Sequence, residues 1–424
     1  MDKQRVLIYK TLVIGIILLF ICMSNTSSVA IDNIKKSSMP LSSGNTLYVG
    51  GSGPDNYTRI QDAIDNASSG DTVFVFGNAS PYHENVVVGK SIFLIGEDKN
   101  MVVIDADFKG MAVTITASNV FVSGFTMIHP IAEHFNEWES ALVDIVSTEN
   151  VTIRDNIMQQ NQIYLGDWRA GIVIRSSSYC FIQNNTIIKE TDTRPSVGIA
   201  FIFGSTFNNV SGNEIYHFTE GIYITKWSSN QICTDNVIYM NYLHHNGAGI
   251  RTVFGNDNKI INNIINFNIQ GIRIEDGCNN VVFGNIVTDN GKGGDDDWGI
   301  GLIGGSDNYV SYNHILNNNP SGIYLLSYNN NITLNNISKN KIGVFVDTNY
   351  GDFITRNNFI FNKKNGYFDR FISIKDRMIW DKNYWNRPRL LPYPIFGIGY
   401  LPLLSFPWVV FDWHPAQEPY DIPI

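Results

Sequence analysis

Cysteine is scarce in this 424-residue chain: there are four, and only Cys180, Cys233 and Cys278 lie beyond the first 30 residues. Three scattered thiols exclude a disulfide framework and a clustered thiolate zinc site, and read as small buried residues. Charge is scarce too. Charged residues make up 16%, against about 25% in typical globular chains. The 30 basic and 39 acidic residues leave a net charge of −9. No basic run is long enough to track a phosphate backbone, so nucleic acid is not an expected partner. Long apolar runs are few. One is Leu12–Met23; the other, Leu390–Phe411, is broken by Pro392, Pro394, Pro402 and Pro407, which argues against a continuous spanning helix. What is plentiful is aromatic residues, at 12%, and asparagine, with 50 in the chain. Asparagine favours neither helices nor ordinary strands, so its excess needs a structural reason.

Lys3, Arg5 and Lys10 precede the first apolar run, and Ser28-Val29-Ala30 supplies small residues for a peptidase. This pattern predicts a secretory signal over residues 1–30, with the mature chain secreted or held at the cell surface. The alternative is an uncleaved segment that tethers the chain to a membrane. Residues 31–45 read as a linker, 46–80 as an N-terminal cap and first strand, 81–366 as repeats and 367–424 as a C-terminal cap.

The repeats rest on two markers in step. Glycine followed by Ile or Val stands at Gly171, Gly198, Gly221, Gly249, Gly271, Gly299, Gly322 and Gly343. Asparagine near an Ile stands at Asn156, Asn185, Asn213, Asn236, Asn263, Asn285, Asn313, Asn336 and Asn358. Between them lie short alternating strands, such as Ile272 and Ile274 interleaved with Arg273 and Glu275, and no sustained period of 3.6. Units of about 22 residues built from short strands predict an all-β parallel β-helix, one unit per coil. A propeller blade would need about 40 residues. Asparagine is expected at the bends, in left-handed backbone and as an amide ladder between coils. The glycines are expected where dihedrals are unusual or packing is close. Thr58–Ala67, apolar at Ile60, Ala63, Ile64 and Ala67, predicts a short capping helix with Thr58 as N-cap. Trp380, Tyr384, Trp385, Trp408, Phe411 and Trp413 suggest an aromatic, Pro-rich plug at the other end.

The opening "YTRIQDAIDNASSGDTVFVF", the following "ENVVVGKSIFLIGEDKNMVVID" and the Gly-Ile coils resemble NosD-like, pectin-lyase-like secreted proteins with PbH1 (CASH-type) repeats. The resemblance runs over residues 46–424. It implies a right-handed parallel β-helix. For function it implies several things, because this scaffold carries lyases, hydrolases, epimerases and adhesins. It also implies a copper-related accessory role for an exported metalloenzyme, although His244-His245 is the only adjacent pair of histidines. The Gly-His-Gly motif of polygalacturonases and the Asp-Pro-His motif of alginate epimerases are absent.

Long coils exceed short ones just before the glycine, and the extra residues include Asp167-Trp168-Arg169, then Glu190, Asp192 and Arg194, then His244-His245, then Asp295-Asp296-Asp297-Trp298. One-sided loops of this kind usually carry a solenoid's function. Two residues after each glycine stand outward-facing residues, among them Tyr223, Arg251, Arg273 and Tyr324. Candidate catalytic residues are therefore His244, Arg251, Arg273, Glu275 and Asp297; candidate ligand-binding residues are Tyr223, Trp298, Tyr324 and Trp168. Arg and carboxylates beside aromatic rings suit an extracellular polysaccharide or glycoconjugate, bound without turnover or cleaved by a lyase or hydrolase. Asp295, Asp296 and Asp297 would offer calcium an all-oxygen site, or form a solvated turn. Cell-envelope proteins are the other partners this placement allows. His217 and His314 read as packing residues.

Overall fold

A computed structural model describes residues 44–129, 141–160, 169–190, 195–226, 228–292, 294, 297–347, 351–371, 378–401 and 404–423. Apart from the helix Ile60–Asn66 and a 3-10 turn at Gly77–Ala79, the regular elements are strands. They form three sheets of 14, 14 and 13 strands, in each of which successive members come from successive coils. Pairing is parallel throughout until a terminal hairpin, where Tyr393–Leu401 meets Leu404–Asp412 antiparallel. The chain is thus an all-β, right-handed parallel β-helix. The first sheet opens with Thr46–Val49 beside Thr72–Val75, the second with Val86–Val88 beside Val113–Ile115, and the third with Tyr82–His83 beside Val103–Asp105.

The bore is filled by the aliphatic half of the repeat. Ile172, Ile199, Ile222, Ile250, Ile272, Ile300, Ile323 and Val344 stack in register on the second sheet, all fully buried. Each such side chain contributes about 1.5–3 kcal/mol relative to exposure. The glycine before each is required by close approach. A Cβ on Gly271 would lie 2.3 Å from the carbonyl oxygen of Gly299 and 2.8 Å from Val287 Cγ1. These repeat glycines do not have positive φ, so the dihedral explanation does not apply to them.

The asparagines form three ladders. One runs through Asn156, Asn185, Asn213, Asn241, Asn263, Asn285, Asn313, Asn335, Asn357 and Asn383. A second runs from Asn208 through Asn236, Asn258, Asn280 and Asn308 to Asn330, and a third from Asn246 to Asn362. In each step the backbone N–H and usually the side-chain amide of one Asn donate to Oδ1 of the next, at 2.8–3.2 Å. This corrects the sequence series: Asn236 belongs to a different ladder, and Asn336 and Asn358 sit one residue past the rungs Asn335 and Asn357. The left-handed expectation is corrected as well. The residue before the rung carries positive φ, and it is Met240, Tyr312, Leu334 or Arg356 as readily as Asn262. The rung is Asn because it must satisfy buried backbone groups of two coils.

The helix covers one end with Ile60, Ala63 and Ile64 buried. Its cap is not Thr58. Arg59 is the N-cap residue, and the buried Glu84 carboxylate accepts from the N–H groups of Ile60 and Gln61, at 2.8 and 3.0 Å. At the other end Trp385 stacks on Phe359, centroids 4.5 Å apart, and both it and Trp380 are buried. Trp408 and Trp413 stay exposed, so of these four tryptophans Trp380 and Trp385 form the plug, with Tyr393 stacked on Trp385.

Candidate functional site

The second sheet turns a continuous outer row toward solvent. Register pairs Tyr223 with Arg251, Arg251 with Arg273, Arg273 with Gly301, Gly301 with Tyr324, Tyr324 with Phe345 and Phe345 with Tyr367. Neighbouring members are one strand spacing apart, about 4.8 Å. A second column, one residue before each glycine, pairs Glu220 with Ala248, Ala248 with Gln270 and Gln270 with Trp298. A third, four residues after, holds Glu275 and Asp347.

Charges on this face are closed upon one another. Arg251 donates through Nε to Glu275, 2.8 Å, and through Nη1 to Glu220, 3.0 Å. Arg273 pairs with Glu275 as well and donates to Gln270 Oε1, 3.2 Å. Two guanidiniums thus meet two carboxylates. Burial pushes the Glu220 carboxyl above its ordinary value, more than Arg251 pulls it down. For Arg251 burial acts to lower the group, but Glu275 and Glu220 outweigh it and raise it further. Glu220 Oε2 is buried and makes no hydrogen bond.

Beside the ion network lies an aromatic run. Trp298 stacks on Tyr324, centroids 4.8 Å apart and planes 8° from parallel, and Tyr324 meets Phe345, which meets Tyr367. Arg251 lies over Tyr223 and Arg273 over Trp298, with centroid distances of 5.5 and 5.7 Å, within cation–π range. Gly301 leaves room for the indole: a Cβ there would lie 2.3 Å from Trp298 Nε1. Trp298 itself is 1% exposed, so it supports Tyr324 and does not present a free ring. Tyr223, Tyr324, Phe345 and Tyr367 are partly exposed, and Tyr324 is oriented by its hydroxyl, which donates to Asp347, 2.8 Å.

The structure therefore brings Arg251, Arg273, Glu275, Tyr223, Trp298 and Tyr324 together. It separates His244 from them. His244 ends the strand Tyr242–His244 of the third sheet, and its neighbours are Tyr216, Tyr242, Glu214 and His245. It is a strand residue on another face, not part of an inserted loop beside the arginines. Asp297 is buried, and its Oδ2 accepts from the N–H groups of Lys292 and Gly294, 2.7 and 2.9 Å. That carboxylate folds its own loop. Trp168, Asp295 and Asp296 lie outside the described residues, as do Asp192, Arg194 and the segment 1–43 that holds the expected signal. Glu220, Gln270 and Asp347 were missed in the sequence. Their signal was available: they stand at the same offsets from the repeat glycine as Trp298 and Glu275.

Comparison with known proteins follows the fold. The family model described as periplasmic copper-binding protein (NosD) matches residues 233–401, and that of the right-handed β-helix region matches 141–299. A cell surface glycoprotein of Methanothermus fervidus is 26% identical over 223 residues, 46% of this chain. The matched stretch is 35% of that relative's length. Among solved structures, the catalytic domain of a GH87 α-1,3-glucanase in complex with tetrasaccharides superposes with TM-score 0.57 at 14% identity, covering 83% of this chain and 71% of that one. A mannuronic-acid-specific family 6 polysaccharide lyase from human gut microbiota gives 0.53 at 12%, covering 84% and 92%. At these identities the likeness is one of fold.

The family description names copper, and the adjacent His244 and His245, with Nδ1 atoms 2.9 Å apart, lie within its matched residues 233–401. Among the described residues there, no three His, Cys, Asp or Glu converge within ligand range. Cys233 is fully buried, its Sγ donates to the Thr225 carbonyl at 3.2 Å, and burial pushes its thiol up to about 11. His314 is engaged with the Pro423 carbonyl.

Proposed function

We propose that this right-handed β-helix works outside the cell, at the cell surface, where the outer row of its second sheet binds a largely uncharged extracellular glycan. The observation that carries this reading is the row Tyr223–Arg251–Arg273–Tyr324–Phe345–Tyr367, held in register over seven coils with Gly301 admitting the Trp298 support. Partly exposed rings at a coil spacing suit the apolar faces of successive sugars, and guanidinium and carboxylate groups suit their hydroxyls. The mutual pairing of Arg251, Arg273, Glu220 and Glu275 leaves little net positive charge for a uronate. Similarity to a cell surface glycoprotein supports the location. The reading is one of binding without turnover. Arg251 stands between Glu220 and Glu275, so these carboxylates do not flank an open cleft as a glycosidase needs.

Affinity electrophoresis of the exported chain against neutral and uronate polysaccharides tests it. Retardation by a neutral glycan is expected, weakened about tenfold by Tyr324→Ala or Phe345→Ala, each loss equivalent to about 1.4 kcal/mol. Unaltered melting of the variants shows that the fold persists. No retardation by any neutral glycan, or release of reducing ends or unsaturated products, refutes it.

A further inference from the structure

At the N-terminal coils, far from the repeat glycines, a second constellation of polar groups stands on the third sheet. His83 and Asp105 are register neighbours on adjacent strands. Asp107 follows two residues on, in left-handed backbone with φ of 52°, and its N–H donates to Asp105 Oδ1, 2.9 Å. The turn aims its carboxylate back at the histidine. His83 Nδ1 lies 2.8 Å from Asp107 Oδ1 and 3.8 Å from Asp105 Oδ2. One coil further on, His129 Nδ1 lies 2.9 Å from Asp105 Oδ1. The His129 ring packs on Phe108, centroids 4.5 Å apart, and the His129 carbonyl accepts from Phe108 N–H, 3.0 Å. Lys109 Nζ touches the outer oxygen of Asp107 at 3.3 Å and is itself exposed.

We propose that His83, Asp105 and Asp107 form a binding site for a divalent transition-metal ion of the Zn²⁺ type, with His129 as a positioning residue. Three donor atoms lie within 4.8 Å of one another, one nitrogen and two carboxylate oxygens. Donors on a four-coordinate Zn²⁺, at bonds of about 2.0–2.1 Å, stand roughly 3.3 Å apart. The observed 2.8 and 3.8 Å separations from His83 bracket that value, and the separation of the two carboxylate oxygens is within 4.8 Å. An imidazole with two carboxylates suits Zn²⁺ better than Ca²⁺, which takes six to eight oxygens. His129 on the other oxygen of Asp105 is the outer-shell contact that fixes a ligating carboxylate. Asp105 is 8% exposed and His83 stands half in solvent, so one side of the ion is walled and the fourth position faces water. The site is independent of the glycan face.

The test is equilibrium dialysis of the exported chain against Zn²⁺ alone, followed by elemental analysis, with isothermal titration for affinity. One Zn²⁺ per chain is expected. His83→Ala and Asp105→Asn each reduce affinity at least tenfold, and His129→Ala reduces it less. His244→Ala/His245→Ala, which removes the adjacent pair, leaves stoichiometry at one. Added Zn²⁺ raises the melting temperature of the wild-type chain but not of His83→Ala, a readout that also reports folding of the variant. No stoichiometric Zn²⁺, Zn²⁺ retained undiminished in His83→Ala with Asp105→Asn, or displacement by equimolar Ca²⁺ overturns the assignment.

Discussion

Two adjacent asparagines, Asn335 and Asn336, give the sharpest check on what the amide ladders do. Asn335 Nδ2 donates to the carbonyls of Val310 and Thr333 and to Asn357 Oδ1, at 2.8, 3.1 and 3.0 Å. Its Oδ1 accepts from both the backbone N–H and the amide of Asn313, at 3.0 and 2.9 Å. Asn335→Ala removes the acceptor of the Asn313 N–H in a region where water has no access, since Asn313 and Asn335 are both fully buried. An orphaned buried donor costs about 1–3 kcal/mol, and the void left by the amide adds to it, for a loss of roughly 2–4 kcal/mol. Asn336 makes one long contact, 3.4 Å to His314, and no other side-chain hydrogen bond. Asn336→Ala should therefore change stability by about 0.5 kcal/mol or less. Repeat arrays can lose two-state behaviour, so the local measurement is decisive: amide hydrogen exchange at Asn313 accelerates in Asn335→Ala and is unchanged in Asn336→Ala, and urea midpoints follow the same order. Equal effects at the two positions, or a protected Asn313 amide in Asn335→Ala, would refute the ladder argument.

Further outcomes are expected from the glycines and from the ion network. Gly271→Ala, whose Cβ would lie 2.3 Å from a backbone oxygen, should destabilise by about 3 kcal/mol, whereas Gly89→Ala, whose nearest atom would be Thr116 Oγ1 at 3.6 Å, should be neutral or slightly stabilising; comparable melting losses in both would contradict the close-approach explanation. Glu220 is raised in the folded chain above its ordinary value of 4.5. The native state therefore holds the extra proton between those two values, and stability falls as pH rises through that window. Glu220→Gln should flatten that segment of the profile of urea midpoint against pH; an unaltered slope would show that Glu220 does not titrate there.

The site was legible in part. Arg251, Arg273, Glu275, Tyr223 and Tyr324 were placed on one face because a parallel solenoid keeps equal offsets from a marker in equal positions. The sequence puts His244 beside Arg251 because only seven residues separate them, and chain proximity does not reveal that a buried corner at Asn246 turns it onto another sheet. Asp297 looked like a free carboxylate because its partners are backbone N–H groups of its own loop, which no residue type announces.

By itself the sequence determined the coil. A glycine followed by Ile or Val, an Ile in the bore and asparagine near each bend recur at about one coil length, so each unit can bury its apolar side only against the next. Tertiary structure alone decided which asparagine is the rung, that Glu220 and Glu275 close on Arg251, and that His83, Asp105, Asp107 and His129 converge. The reason is physical. Burial in a solenoid repeats with the chain and is written as a period, whereas a polar contact between coils depends on the turn of backbone at each corner. The coils bearing His83 and Asp105 also lack the Gly-Ile marker, so nothing in the linear order reported their register.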